Sequence, residues 1–464
     1  MKRPMALFLK LRNEGVSDSV VLVGWCFLFA YISLVPFYYL QPLQLVDKNP
    51  PFYLPKYLPP LLIGLLTCLA LVGWTLGRFR PLRTPLDLYA GSYLIVTGVG
   101  LTGATYLVIG AMKLFYYTLT GIYLPYLVVS QFSGREAIHK LIRWATGVAA
   151  AVALYGICVY ASGSYFFWGQ FYEAYNPYYG GADRAASTLG NAVFTGSYLA
   201  LCLPFSLWAF DSERSRGRKM LFGMFTLLIM IGLGLTFTRG AWLAAAVACV
   251  IFLRPRANAI WQHARRVVNI HRVVIFLTVV LLLVPVLEGL GFKRPIHQTW
   301  TGLWSRVGQS FQIRSTESFR LAQYGTALRV LRERPLLGVG FGNFTRLFEK
   351  YKDPSTPPIH LATTTESMYL MFACETGLLG LVAVLFVFYA VIHALYGAYR
   401  AAPPGPERDL LVAALGAFSG FLLNMGTWDA LNQPTVRMTF WMFVGIAFAQ
   451  MNTLSRRTRG PGPG

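Results

Sequence analysis

Three arginines and one carboxylate stand out by residue type and position. Arg239 lies in TFTRGAW, where one apolar run ends and the next begins. That is the depth at which the phosphate of a membrane-anchored ligand lies. A guanidinium there can grip phosphate oxygens through two parallel N–H donors, which a lysine cannot. An arginine that only snorkels to the interface would occupy the same position. Arg320, and Arg184 in GADRAASTLGN, are expected to face the same compartment. A single loop arginine is usually just solvated, so the three together carry more than any one of them. Glu366 closes HLATTTE at the entrance of an apolar segment. Partial loss of water there raises a carboxylate pKa toward the range useful for a general base. The structural alternative is an acid set against the positive end of a helix. His360 is a second candidate base, although a loop histidine is more often solvated. Glu375, close to a predicted kink, reads as structural.

The same survey points away from metal chemistry. The cysteines (Cys26, Cys68, Cys158, Cys202, Cys249 and Cys374) are widely separated inside apolar runs. No C-x-x-C spacing suggests zinc or a disulfide framework, and they read as small buried hydrophobes. The six histidines contain no H-x-x-x-H pair, and the D-x-D pair of many metal-dependent transferases is absent. A metal-free reaction without a cofactor is expected.

The elements that must position these residues are membrane helices. Only 13% of the 464 residues are charged and 55% are hydrophobic, where soluble domains have roughly 25% charged. Mean hydropathy is +0.50. The excess of 41 Lys and Arg over 19 Asp and Glu is therefore assigned to a membrane, not to nucleic acid. Apolar runs near 19–40, 58–77, 87–107, 112–131, 144–163, 188–210, 220–238, 241–253, 273–291, 367–398, 410–426 and 437–451 predict an all-α polytopic protein of about twelve spans. The division of 87–131 at Gly110–Lys113 rests on length alone, and 367–398 predicts a short helix, a kink at Gly377 and then a span. The first run is too long for a signal-peptide core. Basic residues concentrate in alternate short connections, which places both termini in the cytoplasm. Residues 1–291 hold nine spans, 292–365 one large periplasmic loop, 366–452 three spans, and 453–464 a flexible cytoplasmic tail. The loop carries eleven Lys and Arg against four acids, a charge that suits an anionic ligand. Within it STESFRLAQYGTALRVLRERP predicts a helix, with Ser315 or Thr316 as cap and Pro335 as stop.

From residue 184 to about 400 the chain resembles the O-antigen ligase and polymerase superfamily of lipid-linked glycan transferases. The features are TFTRGAW, Arg320 followed by Ala327-Leu328, ERPLLGVGFGNF, and ESMYLMFACETGLLGL. Many members show His-Asn where this chain has Glu366-Ser367, and relatives that polymerise exopolysaccharide often show Asp-Asn. The resemblance implies a metal-independent bacterial inner-membrane transferase, active at the periplasmic face. It would take a glycan from undecaprenyl diphosphate. The acceptor would be lipid A core for a ligase, another lipid-linked glycan for a polymerase, or a protein. Glu366 would then be the base, with Arg239, Arg320 and Arg184 on the diphosphate. The same resemblance makes Asn191 and Tyr369 donor neighbours. The partners expected are the lipid-linked donor, the acceptor and membrane lipids. The rival readings are a transporter or flippase and a non-catalytic assembly subunit. The first is disfavoured because the acids lie almost wholly in loops or at span ends and no repeat is visible.

Overall fold

The computed structural model describes residues 16–37, 54–75, 84–131, 134–167, 170–173, 184–256, 315–352 and 364–458. Along the chain come α1 (Val16–Leu34), α2 (Leu54–Thr75), α3 (Asp87–Leu101), α4 (Leu107–Gln131) and α5 (Arg135–Ser162). A short antiparallel pair, β1 (Ser164–Phe167) and β2 (Gln170–Glu173), follows. Then come α6 (Ala192–Ser212), α7 (Arg216–Leu235), α8 (Arg239–Leu253), α9 (Ser315–Glu333), α10 (Phe344–Tyr351), α11 (Met368–Ala401), α12 (Pro406–Met425) and α13 (Pro434–Thr458). Eleven of the twelve expected apolar runs coincide with helices, and the twelfth, 273–291, lies outside the described residues. Among the described residues, six helices qualify by length and composition to cross a membrane: α4, α5, α6, α7, α11 and α12.

One boundary is corrected. The break inside 87–131 falls at residues 102–106, and Gly110 and Lys113 sit within α4. The turn is fixed from outside its own sequence: Asn343 Oδ1 accepts from Tyr106 N–H at 2.7 Å, and Asn343 Nδ2 donates to the Phe341 carbonyl. Run length could not show that docking. The helix predicted within the long loop is α9, starting at Ser315 and ending before Pro335.

Small residues set the tightest crossing. Gly416 and Gly420 of α12 lie one turn apart, and a methyl on either would run into the carbonyl of Ala248 or Ala244 in α8. Close backbone approach through a small-x-x-x-small face is how membrane helices associate where no hydrophobic drive separates protein from lipid. Contacts between loops sort the bundle into two ends. One end carries ion pairs of Arg143 with Glu213 at 2.8 Å, Arg135 with Glu407 at 2.9 Å, and Arg256 with Asp211 and Asp409. At the other, Thr188 donates to the Pro36 carbonyl and Thr435 to the Val35 carbonyl. That second end also gathers residues 184–191, 236–239, 334–343, 364–367 and 426–432, which include four of the seven candidate site residues, Arg184, Asn191, Arg239 and Glu366.

Candidate active site

The site is built on a broken helix. The chain runs through α11 from Met368 to Ala401, but within it Gly377 adopts φ +67°, a conformation that side chains with a Cβ rarely tolerate. A break of this kind frees backbone groups that must find partners inside the protein. The PLLGVGFGN segment supplies them. Leu378 N–H donates to the Pro335 carbonyl at 2.8 Å, Leu379 N–H to Leu336, and Val339 N–H to the Cys374 carbonyl at 2.9 Å. Gly338, with φ +67°, has no room for a methyl against Cys374. The glycines therefore knit the end of the long loop to α11, and through it hold α9 beside the start of α11.

That clamp brings Arg320 of α9 to Glu366. Arg320 Nη2 lies 3.5 Å from Glu366 Oε2, with side chains 38% and 22% exposed. At this separation and exposure the pair is worth at most about 1 kcal/mol, so the carboxylate holds the guanidinium only weakly. Glu366 itself has φ +49°, a costly backbone for a non-glycine residue that often marks a functional position. Thr365 Oγ1 donates to the Ser367 carbonyl at 2.6 Å and fixes the turn. Burial raises the Glu366 carboxyl above its ordinary value, Arg320 pulls it back, and Asp429 pushes it further up. The net shift is upward, the direction that general-base chemistry requires.

Asp429 comes from the connection between α12 and α13. Asn432 Nδ2 donates to its Oδ2 at 2.9 Å, and the Tyr117 hydroxyl donates to Asn432 Oδ1. Arg437, 1% exposed, lies 3.8 Å over the Tyr117 ring and donates through Nη1 to the Leu431 carbonyl at 2.6 Å. Burial raises the Asp429 carboxyl, opposed by Asn432 and Lys113. Trp428 donates to Ser197 Oγ at 2.9 Å and stacks on Phe194, tying the same connection to α6.

The turn before α8 forms the third wall. Phe237 has φ +49°. Arg184 holds this turn, donating from Nε to the Thr236 carbonyl at 2.8 Å and from Nη2 to Thr238 Oγ1 at 2.7 Å. Arg239 opens α8, half-buried. The adjoining Gly240 packs against Asn424 and Thr427 at the end of α12, with no room for a methyl beside the Thr427 hydroxyl. Asn191 caps α6, accepting from Val193 N–H at 2.7 Å. Tyr369 donates from its hydroxyl to the Leu422 carbonyl at 2.6 Å.

The structure thus joins Arg320 and Glu366 directly. It sets Gly240, the neighbour of Arg239, and Tyr369 against the same end of α12, and gives Arg184 and Asn191 backbone-holding contacts. His360 lies outside the described residues. Sequence reasoning missed Asp429, Asn432, Lys113 and Arg437. Lys113 and Arg437 carried a usable signal, since each is a charge inside an apolar run. Glu375, read as structural, pairs with Lys113 at 3.2 Å. Among the described residues no three His, Cys, Asp or Glu side chains gather as a metal site.

Over residues 222–385 the chain matches the family model described as O-antigen ligase. No curated protein matches it.

Proposed function

We propose that this chain, a member of the O-antigen ligase superfamily, is a metal-independent glycosyltransferase of the bacterial inner membrane. It moves a glycan from undecaprenyl diphosphate to an acceptor hydroxyl at the periplasmic face. The observation that carries the reading is the Arg320–Glu366 pair: a weakly held guanidinium and a carboxylate of raised proton affinity, side by side at the site end of the bundle. Glu366 takes the proton of the acceptor hydroxyl as its oxygen bonds to the anomeric carbon. The bond from that carbon to the phosphate oxygen breaks, and the diphosphate leaves with the electron pair. Arg320 and Arg239 neutralise the charge that develops there. Arg184 serves the donor site by holding the turn that presents Arg239, and Asn191 and Tyr369 hold the helix ends around it.

The ligase reading makes lipid A core the acceptor. The polymerase reading, with another lipid-linked glycan as acceptor, draws support from a carboxylate standing where many relatives carry imidazole. Purified protein supplied with undecaprenyl-diphosphate glycan and each acceptor in turn, with EDTA and without nucleotide, tests both. Transfer to lipid A core marks a ligase and chain growth a polymerase. Loss of transfer in EDTA refutes the metal-independent step.

A further inference from the structure

Lys113 is the charge that this chemistry leaves unused. It sits in α4 within LVIGAMKLFYY, where an ammonium is costly unless it has a partner or a task. Its Nζ lies 3.2 Å from Glu375 Oε1. The carboxylate side chain is 2% exposed, and the lysine is 25% exposed. The ammonium also lies 5.5 Å over the Phe341 ring and 5.7 Å over Tyr117. Gly342 rests on its stem, where a methyl would press on Lys113 Cδ at 2.7 Å. The glycine-rich loop therefore fixes the path of the side chain.

Two further observations give that path a direction. Tyr117, under the ammonium, is tied through Asn432 to Asp429, the carboxylate whose charge Lys113 favours and whose own charge raises the Glu366 carboxyl. On the outside of α4, Val108, Met112 and Phe115 are 70%, 67% and 70% exposed, a stripe at helical spacing turned toward lipid. Lys113 follows Met112 by one residue, about 100° round the helix, so it lies behind that stripe on the inward side, with a quarter of its side chain exposed.

We propose that Lys113 is a further cation for the diphosphate of a lipid-linked donor. The assignment rests on the transferase reading above. On binding, the ammonium exchanges part of its contact with Glu375 for a phosphate oxygen, as Arg320 does with Glu366.

The test titrates undecaprenyl diphosphate, and separately inorganic pyrophosphate, into the protein in nanodiscs. The variants are Lys113→Met, Glu375→Gln and the double substitution. The double substitution leaves no buried carboxylate unpaired, and thermal unfolding checks that it folds. Lipid diphosphate affinity is expected to fall about tenfold or more in both Lys113 variants, the usual worth of one charged contact. Recovery of wild-type affinity in the double variant overturns the assignment, because Lys113 then only neutralises Glu375. Pyrophosphate binding as tightly as the lipid overturns the assignment of a lipid-linked ligand. Failure of the wild-type protein to bind the lipid overturns the transferase reading with it, whereas normal binding in the double variant overturns the Lys113 assignment alone.

Discussion

Replacing Glu366 by Gln keeps the shape of the side chain and removes its proton acceptor. Loss of a general base costs about 10²–10⁴-fold in rate, or roughly 3–5 kcal/mol of barrier. Stability moves far less, since the ion pair broken is 3.5 Å long with Arg320 38% exposed, worth at most about 1 kcal/mol. The sign even favours the variant. Burial raises the carboxyl pKa in the folded protein, so the folded state binds more protons than the unfolded one as pH climbs through the window above the ordinary value, and stability falls there. Gln does not titrate, so the variant should unfold at the same temperature as wild type or slightly above it at neutral pH. The assay is single-turnover glycan transfer, with donor binding and thermal unfolding measured separately on each variant. Transfer should drop at least about a hundredfold while donor binding persists. Near-normal turnover refutes Glu366 as the base. If His360→Ala abolishes turnover in the same assay, the base is the histidine. If Glu366→Gln binds donor poorly, the residue shapes the turn and does no proton transfer.

Three other outcomes follow from the same geometry. Arg320→Gln removes the cation that lowers the Glu366 pKa, so the acidic limb of the pH–rate profile should move to higher pH. An unmoved limb separates the pair. Gly420→Leu drives a side chain into the Ala244 carbonyl, and should destabilise the protein by about 1–3 kcal/mol, seen as a lower unfolding temperature in detergent. An unchanged melt means that α8 and α12 do not meet as described. In a cysteine-free background, Thr105→Cys should react with a membrane-impermeant thiol reagent on intact spheroplasts, and Ser215→Cys only after permeabilisation. Both positions are exposed and lie at opposite ends of the bundle. Reversed labelling overturns the orientation.

Helices are legible in the sequence because bilayer thickness imposes a length and apolarity that the residues state outright. The Gly377 break and the α9 helix can be read from local chemistry, a glycine and a proline. The α3–α4 boundary cannot, because Asn343, more than two hundred residues downstream, makes the turn. The same division runs through the site. Glu366 is recognisable from the apolar segment that follows it, whereas Asp429 acquires its setting only when the α12–α13 connection is folded back beside the start of α11.

Arg184 shows why residue type alone stops short of a role. The guanidinium geometry that suits phosphate oxygens suits peptide carbonyls equally, and Arg184 spends Nε and Nη2 on the turn at Thr236–Thr238. Nothing in GADRAASTLGN distinguishes the two uses. What distinguishes them is the strain next door: Phe237 at φ +49° needs an external hold, and Arg184 supplies it. Arg320 meets no such demand, since its partner is a side chain in a loose pair that a phosphate can replace. An arginine fixed on backbone presents the site, and an arginine resting on a carboxylate is free to act in it. By that reasoning Arg320 and Lys113, each resting on a carboxylate, join Arg239 as the charges proposed to act on the diphosphate.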